Sequence, residues 1–181
     1  MLQLVIPEKE WWDEKNEVFI RTKGAALQLE HSLVSVSKWE SKWNKPFLKA
    51  DDEKTREETI DYIRCMTINR NVDSYVYKCL SNENLLEVTK YIESPMTATT
   101  FPVRRKTGRS REIVTSELIY YWMIIYGIPF ECQKWHLNRL LTLIEVCERK
   151  SAPAQKMSKG EILRRNRELN AARRAKLHTK G

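Results

Sequence analysis

The stretch SELIYYWMIIYGIPFECQKWHLNRLLTLIEVC, Ser116 to Cys147, is the most apolar part of a chain in which 31% of residues are charged. Its reading decides the fold. A membrane span needs about 20 consecutive apolar residues. The run from Leu118 to Tyr126 is shorter and ends at Gly127 and Pro129, with Glu131, Gln133 and Lys134 following. A span is therefore rejected. Cys132 and His136 are four apart and would share a helix face, but a structural zinc site needs four ligands, usually with a tight Cys-x-x-Cys pair. Cys65, Cys79, Cys132 and Cys147 are scattered. They read as reduced, mostly buried small apolar side chains, and no disulfide, metal site or cofactor is expected.

The stretch reads instead as a pair of core helices. Thr115 or Ser116 caps the first, and Glu117 in its first turn suits the helix dipole. Leu118, Ile119, Tyr121, Trp122, Ile125 and Tyr126 cover more than one face, which predicts a helix buried on most sides. Gly127 is a natural C-terminal stop, and Pro129 prevents continuation. A second helix is predicted from about Gln133 to Glu148, with Leu137, Leu140, Leu141, Ile144 and Cys147 on one stripe. Trp122, Leu140 and Ile144 are expected to be largely buried between the two.

Working outward, LQLVIP reads as a strand, and EVFIRTKGAALQLEH as a second and third around Gly24. Asp13 to Asn16 supply the turn after the first strand, with Trp11 and Trp12 covering the sheet edge. From Ser32 the period changes. Leu33, Val36, Trp39 and Trp43 predict a helix capped by Ser32 and ended by Pro46. The next begins among acidic residues, including the pairs Asp51–Asp52 and Glu57–Glu58, and turns Thr59, Ile60, Ile63 and Met66 inward. Another starts at Ser81 and buries Leu85, Val88 and Ile92. The fold class is thus α+β and mainly α: a small antiparallel sheet over 1–31, a helical body over 32–148, and a basic linker and helix over 149–181.

Two segments stand apart. Pro95 to Ser116 is a long aperiodic stretch whose centre, RRKTGRSR, has the composition of a phosphate-contacting loop without the spacing of a nucleotide P-loop. The other is the C-terminal segment. Of 32 basic and 24 acidic residues, Arg149 to Gly181 holds eleven and two, which leaves the first 148 residues close to neutral. After the linker SAPAQK, Ser158 and Glu161 form a capping box. The helix that follows has few apolar positions: Ile162, Leu163, Leu169 and Leu177. A helix that polar lies along another surface or orders on meeting a partner.

No catalytic constellation is present. His31, His136 and His178 sit in unrelated sequence settings, the acidic pairs suit helix N-termini, and five glycines leave little room for a nucleotide loop. A chain without a basic, apolar leader is expected to be soluble and intracellular.

Several blocks carry a resemblance: LQLEHSLVSVSKWESKWNKPFL, ETIDYIRCMTI, YIESPMTATTF, the stretch from Thr115 to Cys147, and KMSKGEILRRNRELNAARRAKLHTKG. Together they resemble a group of tailed-bacteriophage proteins of the tail-assembly region, the tail assembly chaperones. The resemblance runs through nearly the whole chain in order. It implies a viral protein of virion morphogenesis that binds the helical, hydrophobic tape-measure protein in the host cytoplasm. It implies no enzyme activity. The alternatives are a structural virion component, such as a head–tail connector or tail-completion subunit, and a nucleic-acid-binding module. Self-association is a further expectation. The residues nominated for partner contact are Arg104, Arg105, Lys106, Arg109 and Arg111 in the loop, and Arg164, Arg165, Arg167, Arg173 and Arg174 in the C-terminal helix. The basic segment lacks the interleaved aromatics of many nucleic-acid binders, which ranks that alternative last.

Overall fold

The computed structural model describes residues 1–13, 17–49, 54–101, 113–151 and 159–177. Met1–Cys147 forms one compact unit and Glu148–Gly181 a second. The first is built of four short strands followed by helices, the α+β, mainly α class expected from the sequence. No helix among the described residues is long and apolar enough to cross a membrane.

The strands are Leu2–Ile6 (β1), Lys9–Asp13 (β2), Val18–Thr22 (β3) and Ala25–Leu29 (β4). β1 pairs antiparallel with β4, from Leu2 opposite Leu29 to Ile6 opposite Ala25. β2 pairs with β3, from Lys9 opposite Thr22 to Asp13 opposite Val18. The same pairing offset runs through both ladders, so they are the inner and outer halves of one long hairpin. Pro7, which has no backbone N–H to donate, sits at the break. Gly24 lies across from it; a Cβ there would stand 3.2 Å from the Glu8 nitrogen and 3.2 Å from the Ile6 oxygen.

KEWWD was expected to be the approach to a turn, yet it forms a strand of its own. Trp12 does not cover a sheet edge. It lies opposite Phe19 with ring centroids 4.8 Å apart, and both remain exposed. The turn at 14–16 lies outside the described residues.

In the inner half, Leu4, Ile6, Leu27 and Leu29 point one way and are buried, while Gln3, Val5 and Gln28 point out. This is the two-residue period of a half-covered sheet. Leu33–Trp43 (α1) follows, with the Ser32 side chain accepting from the Ser35 amide in a reciprocal box. Leu33, Val36 and Trp39 are buried, and Trp39 Nε1 donates to the Glu58 carbonyl at 3.0 Å. The helix ends at Asn44 in the left-handed region, φ 52°, two residues before Pro46.

Arg56–Met66 (α2) is capped by Thr55 and Glu58. Its inward face is rotated from the one expected. Tyr62, Ile63 and Met66 are buried, whereas Thr59 and Ile60 are only half-covered. The Tyr62 ring lies 4.0 Å from that of Phe47, between centroids. Beyond α2 the chain returns beside β4: the Glu30 amide donates to the Met66 carbonyl at 3.0 Å and the Ile68 amide to the Gln28 carbonyl at 2.9 Å.

A short helix, Ser74–Lys78 (α3), was not foreseen. Asn82–Glu93 (α4) starts at the Ser81 cap as expected. It buries Val88 and Tyr91, and leaves Leu85 and Ile92 half-covered. Ser116–Ile125 (α5), a 3-10 turn at Phe130–Lys134 and Leu137–Ser151 (α6) complete the body. The second helix of the pair therefore begins at Leu137, not Gln133. Leu137, Leu140 and Ile144 join Ile119, Met123, Leu29, Val36 and Ile63 in one apolar cluster. The four cysteines are free, with Cys79 and Cys132 buried and Cys65 and Cys147 half-buried. The second unit contains Lys159–Leu177 (α7).

Candidate functional site

Three places in the body hold side chains whose chemistry asks for an explanation. The first is Glu40 on α1, a buried carboxylate. Its Oε1 accepts from the Phe47 amide at 2.7 Å and its Oε2 from the Ser116 amide at 2.8 Å. Thr115 makes no side-chain cap, so a carboxylate 76 positions away satisfies the first turn of α5 instead. Glu40 borders an open cleft of about 330 Å³ with Ser41, Asn44, Lys45 and Thr115. Both its oxygens already hold backbone donors, which is structural work.

The second place brings together two histidines that looked unrelated in the sequence. The His31 and His136 rings lie 5.1 Å apart. The His31 Nδ1 is 2.5 Å from the Tyr62 hydroxyl. His136 Nε2 donates to the Tyr91 carbonyl at 3.0 Å, and its Nδ1 accepts from the Asn138 amide at 3.3 Å. That pair of roles belongs to a neutral imidazole. Burial, helped by the neighbouring His136, pushes the His31 pKa down to about 3. Burial also lowers that of His136, against the raising effect of the Tyr91 carbonyl. The Tyr62 hydroxyl is raised by burial. Among the described residues no group of three or more His, Cys, Asp or Glu side chains is placed to hold a metal ion. The cluster is a set of neutral groups: His31, just after β4, bonds Tyr62 of α2, His136, just before α6, bonds the Tyr91 carbonyl of α4, and the two imidazole rings meet edge to face.

The third place is α5 itself. Glu117 stays ionised at the start of the helix, its carboxyl lowered by its own backbone amide and by the Thr115 hydroxyl. At the other end Gly127 adopts φ 62°. The Ile128 amide donates to the Met123 carbonyl at 2.8 Å and the Gly127 amide to the Ile124 carbonyl at 3.2 Å. This is the Schellman ending, and its usual apolar contact joins Met123 to Ile128, both buried.

Between these ends the helix is covered on one side only. Ile119 and Met123 are buried, but Tyr121, Ile124 and Ile125 are 56%, 64% and 55% exposed. The expectation of a helix buried on most sides is corrected. Trp122 is half-buried, not enclosed against α6. Phe130 in the 3-10 turn is also exposed, with its ring 6.4 Å from that of Tyr120. Tyr120 lies one turn before Ile124 and so stands between Phe130 and the Tyr121, Ile124 and Ile125 row of α5. Tyr120 fixes the corner by donating from its hydroxyl to Gln133 Oε1 at 2.8 Å. Aromatic side chains present ~150–250 Å² each, and isoleucine somewhat less. Four of them about half open leave roughly 400 Å² of apolar surface, within the range of the largest patch on a typical monomer, which is often functional.

The nominated basic residues fall in two groups. Arg104, Arg105, Lys106, Arg109 and Arg111 lie outside the described residues. Arg164, Arg165, Arg167, Arg173 and Arg174 are on α7 and are exposed. Arg164 Nε sits 3.2 Å from Glu168 Oε1, one turn on. The α5 face, the Glu40 bridge and the histidine pair were not nominated from the sequence. Only the first left a signal there, the adjacent Ile124–Ile125 pair in a helix with no polar side.

No family model, no curated protein and no solved structure matches this chain.

Proposed function

We propose that this protein is a non-catalytic assembly factor of the phage tail-assembly chaperone kind, and that α5 is where it holds a helical segment of the tape-measure protein. The observation that carries this reading is the exposed face of Tyr121, Ile124, Ile125 and Phe130 on a helix fixed at both ends. An amphipathic partner helix docks through apolar positions spaced three and four apart, and the α5 face offers a matching row. Its rigid supports, Glu40 at the start and the Gly127 ending, keep the cost of ordering on binding low. The resemblance of the sequence blocks to tail-assembly proteins supplies the partner, and the host cytoplasm is the place such a partner is met before tail polymerisation.

The test is co-expression with a phage tape-measure protein and affinity capture at about 50 and 200 mM salt. Capture should survive the higher salt, since apolar contact carries it. The double change Ile124→Asp and Ile125→Asp should abolish it while leaving the melting curve of the body in place. Capture unaffected by that change rules out α5 as the site. Stoichiometric presence of the chain in washed virions replaces the chaperone with a structural tail or connector subunit.

A further inference from the structure

The helix α7 is 19 residues long, and all of its side chains described are exposed. Its residues are not spread at random around it. Successive residues turn by about 100°. On that wheel Asn166, Asn170 and Arg173 share one face with Ile162, Leu169 and Leu177. Arg167 and Arg174 line one flank of that face. Arg165 and Lys176 line the other. The back, opposite the asparagines, holds Glu168, Ala172 and Ala175, with Arg164 as its one cation, paired to Glu168 at 3.2 Å.

Three kinds of partner fit a solvent-exposed basic helix, and this layout separates them. A partner helix in a coiled coil needs an unbroken apolar seam. Here Asn166, Asn170 and Arg173 interrupt it, and burying them unpaired is costly. An acidic protein surface meets a helix from one side and has no use for cations on both flanks. The major groove of duplex DNA meets all three conditions. It is about 12 Å wide and admits a helix, its walls are phosphates on both sides, and its floor presents base edges. Asparagine pairs with adenine and arginine with guanine on that floor, and apolar side chains meet thymine methyl groups. The fourth side of such a helix faces away from the DNA, where the two alanines and the Glu168–Arg164 ion pair stand.

We propose that α7 is a DNA-binding helix that lies in the major groove, with Asn166, Asn170 and Arg173 toward the bases and the flanking Arg167, Arg174, Arg165 and Lys176 on the phosphates. At about 1.5 Å per residue it is long enough to cross a groove fully. A-form RNA is excluded by the same geometry, because its major groove is too deep and narrow for side chains to read. This activity is separate from partner capture through α5.

Fluorescence anisotropy of the full chain with a labelled mixed-sequence 20-base-pair DNA tests it, with an RNA duplex of the same sequence alongside. DNA should bind more tightly than RNA. Affinity should fall by roughly 10² between 50 and 200 mM salt, the loss expected for about four phosphate contacts. Changing Arg167 and Arg174 to Gln, which keeps helix propensity, should lower the salt slope by about 0.9 per contact removed. Asn166→Ala with Asn170→Ala should weaken binding with the slope unchanged. Glu168→Gln, on the outer side, should cost no affinity. Circular dichroism and a body melt confirm that each variant folds. Equal binding of RNA, full competition by polyglutamate at equal charge, or indifference to the arginine changes overturns the proposal. The Ile124→Asp, Ile125→Asp variant should bind DNA as the parent does, so failure of this inference and failure of the α5 reading are separable.

Discussion

The helices α5 and α7 both show solvent what a packed helix would cover, α5 along one side and α7 at every described side chain, for opposite reasons. A charged side chain in water is at its lowest free energy, so an exposed α7 requires no explanation from folding. An exposed Tyr121–Ile124–Ile125–Phe130 face leaves apolar surface in water at about 25 cal/mol per Å². It persists in a helix whose two ends are tied by Glu40 and by the Gly127 turn. The lesson is that hydrophobicity does not by itself report burial. α5 is the most apolar helix among the described residues, yet its Tyr121, Ile124 and Ile125 face solvent, while the less apolar α6 buries Leu137, Leu140 and Ile144.

The contrast can be broken in several ways, beginning with the largest expected effect. Trp39 on α1 is fully buried and hydrogen-bonded. Trp39→Ala should cost the body ~3–5 kcal/mol, as for other large aromatics truncated in cores. Trp122→Ala, on the flank of α5, should cost clearly less, and equal losses in chemical denaturation would erase the distinction between core and face.

Acidification comes next. The His31 pKa in the folded chain is about 3, against 6.5 when exposed. Between those values the unfolded chain takes up a proton that the folded chain refuses, so stability falls as pH drops below about 6.5 and is unaffected above it. The His136 shift has the same sign. Glu58, lowered by its bond to Lys45, adds a loss further toward acid. Urea unfolding at pH 7 and pH 5 should show His31→Gln losing less stability on acidification than the parent. An identical pH dependence would remove the histidine pair from the account.

The paired aspartate change at Ile124 and Ile125 follows. Both positions are exposed, so the body should shift by no more than about 0.5 kcal/mol per site. A collapse of the fold would mean that the face is covered after all. The smallest effect should come from stopping the chain after Glu148. The body lies within Met1–Cys147, and its melting temperature should stay where it was while DNA binding disappears.

Much of the fold was legible in the sequence because it rests on neighbours along the chain. Ser32, Ser81 and Gly127 mark helix ends through hydrogen bonds that close within five residues. The stripe on α6 follows from the period of a helix. The expected inward face of α2 missed Tyr62 because a tyrosine on an otherwise polar helix reads as a surface residue. Its burial depends on Phe47 and His31, which arrive from other elements. Strand β2 was missed because Glu10 and Asp13 are poor strand formers, and pairing with β3 supplies what propensity lacks.

What the sequence by itself determined is local or additive: the ends of helices, the class of fold, and the charge imbalance between body and C-terminal segment. The tertiary structure alone decided that Glu40 would cap a helix 76 residues on, that His31 and His136 would meet as neutral rings, and which side of α5 would stay open. The physical reason is that a cap or a periodic stripe is satisfied by residues a few positions away. Which face of an apolar helix is shielded from water depends on what distant segments bring against it.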